Sequence, residues 1–304
     1  MKNRITNIVL LILALAFFSC EKPAPTELVN IESTDLEIEV VPMEPGTYDY
    51  SNGYDTTGVT LAKQDYSSIV TISSVKTTSN NLTAKSTLAR ALFFDKTLPI
   101  TTPNGKTICF RTRKIGSVYF ENRLAREVDL SIRLLMNGAA KDSVIGKYHL
   151  LYRRNNKGDD FDFNFNSSID VKLKLLGSTL AHFQIPTPNE ITGAVKTTDN
   201  LVDEDNLFML SWNGTGTGTV DIIIGGIKKA QRASPVSPYY KLSVQDNGSL
   251  TIPSYLLKNF PFEELDKIVF TFIRKKEVDT NQDNTLKDNF IAAYSIHNIQ
   301  LDIP

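Results

Sequence analysis

Apolar and polar residues alternate with a period of two along most of this chain. Leu36, Ile38 and Val40 alternate with Glu37 and Glu39. Val128, Leu130, Ile132 and Leu134 alternate with charged and polar residues, and Val144, Gly146, Tyr148, Leu150 and Tyr152 alternate back after Asn137-Gly138. Successive side chains of a strand point to opposite faces, so this period predicts strands with one wet and one dry face. Further strands follow at Ser68 to Val75, at Phe161, Phe163 and Phe165, and at Val171, Leu173 and Leu175. The phenylalanine row is expected to fill a core, because three such rings on one face are a large apolar payload. Asn-Gly at 104–105 predicts a tight hairpin turn. One stretch breaks the period: Leu88, Ala89, Ala91 and Leu92 behind Ser86 and Thr87 predict a short helix within Thr83 to Asp95.

Pro186-Thr187-Pro188-Asn189 interrupts the pattern and sets the expected boundary between two domains, 36–185 and 186–304. Beyond it, strands are expected at Leu207 to Trp212, Val220 to Ile224, Tyr239 to Val244, Ser249 to Ile252, Ile268 to Ile273 and Phe290 to Ile303. Pro253 to Asn259 reads as one helical turn between sheets. Short strands at this spacing suit an immunoglobulin-like sandwich. The expected fold class is therefore mainly β, with two antiparallel β domains.

The first nineteen residues obey a different rule. Lys2 and Arg4 precede an unbroken apolar run, Ile8 to Phe18, and Ser19-Cys20 closes it. Eleven residues make about 16 Å of helix, against roughly 30 Å of bilayer hydrocarbon, too short for a stable span. The order basic, apolar, small is that of a secretory signal peptide over 1–19. The box Phe17-Phe18-Ser19-Cys20 resembles that of bacterial lipoproteins. That resemblance implies cleavage before Cys20, acylation of the cysteine, and attachment to the cell envelope through lipid, with the outer membrane as the expected location. Residues 20–35, with two prolines and no periodicity, then form a tether. More than one acyl chain makes attachment lasting.

Charge narrows the partners. The formal charge is -1, and loss of Lys2 and Arg4 with the signal takes it to -3. A balance this small and mixed excludes a nucleic-acid footprint. Of two cysteines, Cys20 is taken by lipid and Cys109 stands alone, so no internal disulfide forms. Leu88 to Lys96 followed by Thr107-Ile108-Cys109 resembles the opening of bacterial di-haem cytochrome c peroxidases. In that family a similar run leads into Cys-x-x-Cys-His. Here Phe110, Arg111, Thr112 and Arg113 follow Cys109, and covalent haem has no ligands.

Candidate chemistry is sparse. Asp279, Asn281, Asp283 and Asp288 offer oxygen donors at the spacing a structural calcium ion uses, although Phe290 stands where an EF-hand loop ends in Glu. A solvated hairpin turn between Val278 and Phe290 explains the same residues. Gly214 to Gly218 runs into a strand and reads as a hairpin turn, not a phosphate loop. His149, His182 and His297 fall on separate strands, and Asp159, Asp160 and Asp162 read as solubilising charge. Tyrosines within Tyr48 to Val59 pack down a loop or form a ligand platform. The function expected is a non-catalytic binding or structural module for a glycan, a peptide or an envelope protein. The alternative is a glycosidase-like envelope hydrolase whose carboxylates meet only in the fold.

Overall fold

The computed structural model describes residues 37–40, 66–101, 107–136, 139–197, 208–229, 236–252, 254–258, 260–280 and 288–303. The signal peptide, Cys20 and the tyrosine-rich stretch 48–59 lie outside them. In chain order the strands are β1 (Glu37–Val40), β2 (Ser68–Ser79), β3 (Leu82–Thr101), β4 (Thr107–Thr112), β5 (Ser117–Phe120), β6 (Arg123–Leu124), β7 (Arg126–Met136), β8 (Ala139–Arg154) and β9 (Lys157–Gly158). They continue as β10 (Ser168–Leu175), β11 (Ser178–Pro186), β12 (Gly193–Thr197), β13 (Phe208–Trp212), β14 (Thr219–Lys228), β15 (Ser237–Gln245), β16 (Ser249–Thr251), β17 (Leu265–Glu277) and β18 (Asn289–Asp302). A single helical turn, α1 (Ser254–Leu257), sits where the proline-started segment predicts it.

Among the described residues the strands form three sheets, and the protein is mainly β. The large sheet runs β1-β15-β14-β17-β18-β2-β3-β8-β7, with β4 on β3 and β9 on β8. A four-stranded sheet, β11-β10-β5-β6, and a three-stranded sheet, β12-β13-β16, pack on it. Among the described residues every pairing is antiparallel except one. β18 lies parallel to β2 over Asn289↔Ser68 to Gln300↔Ser79.

Each small sheet builds its own sandwich core against the large one. Val118, Phe120, Ile169, Val171 and Ile185 meet Val70, Ile72, Ala89, Ala91 and Phe93 in one. Phe208, Leu210 and Trp212 meet Ile222, Ile224, Phe270 and Phe272 in the other, with the Phe208 and Phe270 rings 5.1 Å apart. The two cores share the large sheet. β18 contributes Ile291 and Ala293 to the first core and Ile299 to the second. Ten consecutive β18 residues, Phe290 to Ile299, are buried.

Three expectations are corrected. Thr83 to Asp95 is no helix but the middle of β3, paired with β2 from Ser68↔Phe93 to Ser79↔Leu82. Ala89, Ala91 and Phe93 face one core while Leu92 and Phe94 face a cluster on the opposite side of the sheet. A strand buried on both faces loses the period-two signal and imitates a helix in sequence. Phe161 and Phe163 do fill the first core, but they lie in an extended segment outside the ladder. The glycine run at 214–218 is no hairpin turn, because β13 and β14 belong to different sheets and the run crosses between them.

Turn chemistry explains the long hairpins. Asn80 (φ 47°) and Asn81 (φ 65°) join β2 to β3, and Asn155 (φ 47°) and Asn156 (φ 60°) join β8 to β9. Two successive positive φ angles make the type I′ turn whose twist matches paired strands, and Asn tolerates them.

Candidate functional site

The β17–β18 connection carries the described part of the sequence-derived site. A cleft of about 360 Å³ opens there, lined by Tyr66, Glu277, Val278, Asp279, Thr280, Asp288 and Asn289. The sheet ladder positions its walls. Val278 N–H donates to the Ile291 carbonyl (2.9 Å), Thr280 Oγ1 donates to the Asn289 carbonyl (3.0 Å), and Ser68 Oγ donates to Asn289 Oδ1 (2.6 Å). Asp288, at φ 62°, turns the chain into β18, and its carbonyl accepts from Ser67 N–H. Tyr66 leans on Phe290, ring centroids 5.5 Å apart.

Two of the four residues read as calcium ligands, Asp279 and Asp288, therefore share one recess. Asn281 and Asp283 lie outside the described residues. Among the described residues no group of three His, Cys, Asp or Glu side chains is placed to hold a metal ion. Tyr66, Glu277 and Asn289 complete the recess and were not singled out from sequence. Tyr66 is brought in only by the parallel β2–β18 pairing, which leaves no short-range signal. Glu277, two residues before Asp279, extends the polar run backwards and was readable.

The remaining candidates take structural roles. Asp159 accepts from Tyr152 N–H (2.7 Å) with Arg126 3.5 Å away, Asp160 pairs with Arg123, and Asp162 with Arg153. The three histidines stay apart. His182 meets the Asp170 carboxylate at the surface, where a hydrogen bond from Lys172 foremost holds Asp170 below the usual carboxylate range. His149 is buried against Phe93, and that burial pulls its pKa down while Glu127 opposes the shift.

His297 is the best-defined of the three. Gly193 N–H donates to its Nδ1 (2.9 Å), so the proton sits on Nε2 and is donated to Thr78 Oγ1 (3.0 Å). Burial, helped by nearby Lys76, lowers its pKa from 6.5 to about 4. The unfolded chain binds a proton at His297 between those values and the folded protein does not, so stability falls as pH drops from 6.5 towards 4. The full loss is about 3 kcal/mol, at 1.36 kcal/mol per unit. His297→Asn keeps an acceptor for Gly193 and cannot titrate. Denaturant titrations at neutral and acid pH should show this part of the acid loss disappear in the variant, leaving the share due to His149.

A buried ion pair fastens the second sandwich. Arg274 Nε donates to Asp246 Oδ2 (2.8 Å) and Nη2 to Oδ1 (3.0 Å), with side chains 7% and 1% exposed. Trp212 Nε1 (2.8 Å) and Thr215 Oγ1 (2.6 Å) donate to the same carboxylate. Burial alone would raise the Asp246 pKa, but donation from Arg274, Thr215 and Trp212 overcomes it and holds the carboxyl below its ordinary value. Arg274 also donates to the carbonyls of Glu190 (3.0 Å) and Asn213 (2.8 Å). The Asp246 and Arg274 side chains are buried and bonded to each other and to neighbouring groups, the arrangement of a structural fastening.

Fold and site together define a mainly β sandwich protein with, among the described residues, an acidic, tyrosine-flanked cleft at the end of the β17–β18 hairpin. No family model, curated protein or solved structure matches the chain. Among the described residues no helix is long and apolar enough to cross a membrane.

Proposed function

We propose that this chain is an exported lipoprotein, acylated at Cys20 and held at the cell envelope on the outer membrane, whose β-sandwich body is a non-catalytic recognition module. The observation that carries the recognition part is the cleft at Tyr66, Glu277, Asp279 and Asp288. A tyrosine ring beside carboxylate and amide oxygens offers a stacking face and hydrogen-bond acceptors to a hydroxyl-rich ligand, so a glycan is favoured over a peptide or an envelope protein. The signal run and Ser19-Cys20 support the anchor.

Intact-mass measurement and membrane fractionation of the native chain and Cys20→Ala test the anchor. The expected result is an acyl mass and a membrane fraction that the variant loses. For recognition, a glycan array is expected to return ligands whose binding falls about tenfold or more in Tyr66→Ala, the loss of one well-placed contact. Binding that ignores the substitution would remove the cleft from the reading. A glycosidase-like hydrolase is the second reading, favoured by the three carboxylates on one cleft, since glycoside cleavage uses an acid and a second carboxylate. Release of reducing sugar that Glu277→Gln or Asp279→Asn abolishes would select it.

A further inference from the structure

The β10–β11 hairpin ends in an apolar tip. Leu176 is 99% exposed, and Leu180 (57%) and Leu175 (45%) stand beside it. Leu176 also takes φ 49°, a left-handed conformation that Asn and Gly adopt with less strain than a leucine. With Gly177 (φ 86°) it forms the turn that pairs β10 with β11, but the fold does not use the leucine side chain, which sits outside every core cluster, and an asparagine would turn the chain more easily. Side chains kept against stability are a mark of interaction sites.

The surroundings narrow the partner. Lys174, immediately before the tip, lies over the Tyr119 ring with its ammonium 5.0 Å from the centroid and has no carboxylate partner among the described residues. Lys172 lies two residues further back, bound to Asp170 (2.8 Å) and to Asn122 (3.0 Å). Gly116 packs so close to the Lys174 carbonyl that a Cβ there would clash. This anchors the base of the hairpin while the leucines project. A convex tip of three leucines offers far less than the roughly 800 Å² per partner of a stable protein interface. A bilayer needs no matching shape and takes apolar side chains with a lysine at the phosphate level.

We propose that the β10–β11 tip is a second membrane contact, with Leu175, Leu176 and Leu180 entering the boundary of an anionic bilayer and Lys174 meeting its phosphates. This deepens the membrane-anchored reading and rests on it for strength. A lipid tether holds the tip at high effective concentration, so a weak contact suffices to orient the body.

The test uses the chain from Glu21 to Pro304, which keeps every described residue and has no acylation site, floated with vesicles of phosphatidylethanolamine and phosphatidylglycerol. The parent chain should partition onto the vesicles, and Leu176→Asn should reduce the partition coefficient about tenfold, the weight of one buried leucine. Thermal unfolding of Leu176→Asn should occur at the parent temperature or about 2 °C above it, because the turn is relieved. That readout separates lost docking from lost folding. A parent chain that stays off the vesicles, or a variant that floats as well as the parent, overturns the proposal. So does tip-dependent binding to native envelope vesicles that vanishes once their proteins are digested. An unacylated full chain would end the anchored reading while leaving this vesicle result intact, so the two failures are told apart.

Discussion

Arg274→Ala lowers the stability of the protein by about 3–5 kcal/mol, the cost of leaving a buried charge without its partner. Asp246 is almost fully enclosed and would keep only Trp212 and Thr215 as donors. The damage spreads because one guanidinium serves three segments of chain. It joins the Asp246 turn, the Asn213 end of β13, and residues 189–190, which carry the chain from the first sandwich to the second. Asp246→Asn should cost less, since the amide oxygen still accepts from Trp212 Nε1. Because the Asp246 pKa is lowered in the folded state, the contribution of the pair is complete above the ordinary aspartate pKa and is lost as pH falls through the folded value. Urea denaturation followed by the fluorescence of Trp212 reads all three effects. A loss below about 1 kcal/mol for Arg274→Ala would place the pair with surface ion pairs and sink the account.

Ile291→Ala costs about 2–5 kcal/mol, the range for truncating a fully buried aliphatic side chain, and the loss is felt in both sandwiches. Ile291 is 1% exposed and lies in the first core, whereas Trp212 reports on the second. The two cores are linked by β18, hydrogen-bonded to β17 from Lys267↔Asp302 to Glu277↔Ala292 and to β2 along its other edge. Opening the first core removes partners from the strand that carries the second. The Trp212 transition and the far-ultraviolet circular dichroism transition should therefore shift to lower denaturant together. A Trp212 midpoint unmoved by Ile291→Ala would mean that the sandwiches unfold independently.

The hairpins show how much of the fold is local. Alternation at Val128 to Leu134 and Val144 to Tyr152 is the ladder of β7 and β8, and Asn-Gly at 104–105 does stand between the paired strands β3 and β4. Asn80-Asn81 carried the information that contradicts a helix over Thr83 to Asp95, because two turn-forming asparagines just before Leu82 start a hairpin. The apolar cluster that imitates a helix there has a non-local cause, burial on both faces of β3. The site divides in the same way. Asp279 and Asp288 are legible as a polar turn, while Tyr66, more than two hundred residues away in sequence, reaches the cleft only through strand pairing.

Residue order by itself determined the β class, the positions of most strands and the helical turn after β16, since each follows from side-chain period and turn chemistry within a few residues. Only the tertiary structure decided that β18 inserts beside β2, that Arg274 fastens three distant segments, and that a lone tyrosine flanks an acidic recess. Parallel pairing and buried charge networks join residues with no common local pattern, and their free energy appears only when the chain is closed upon itself.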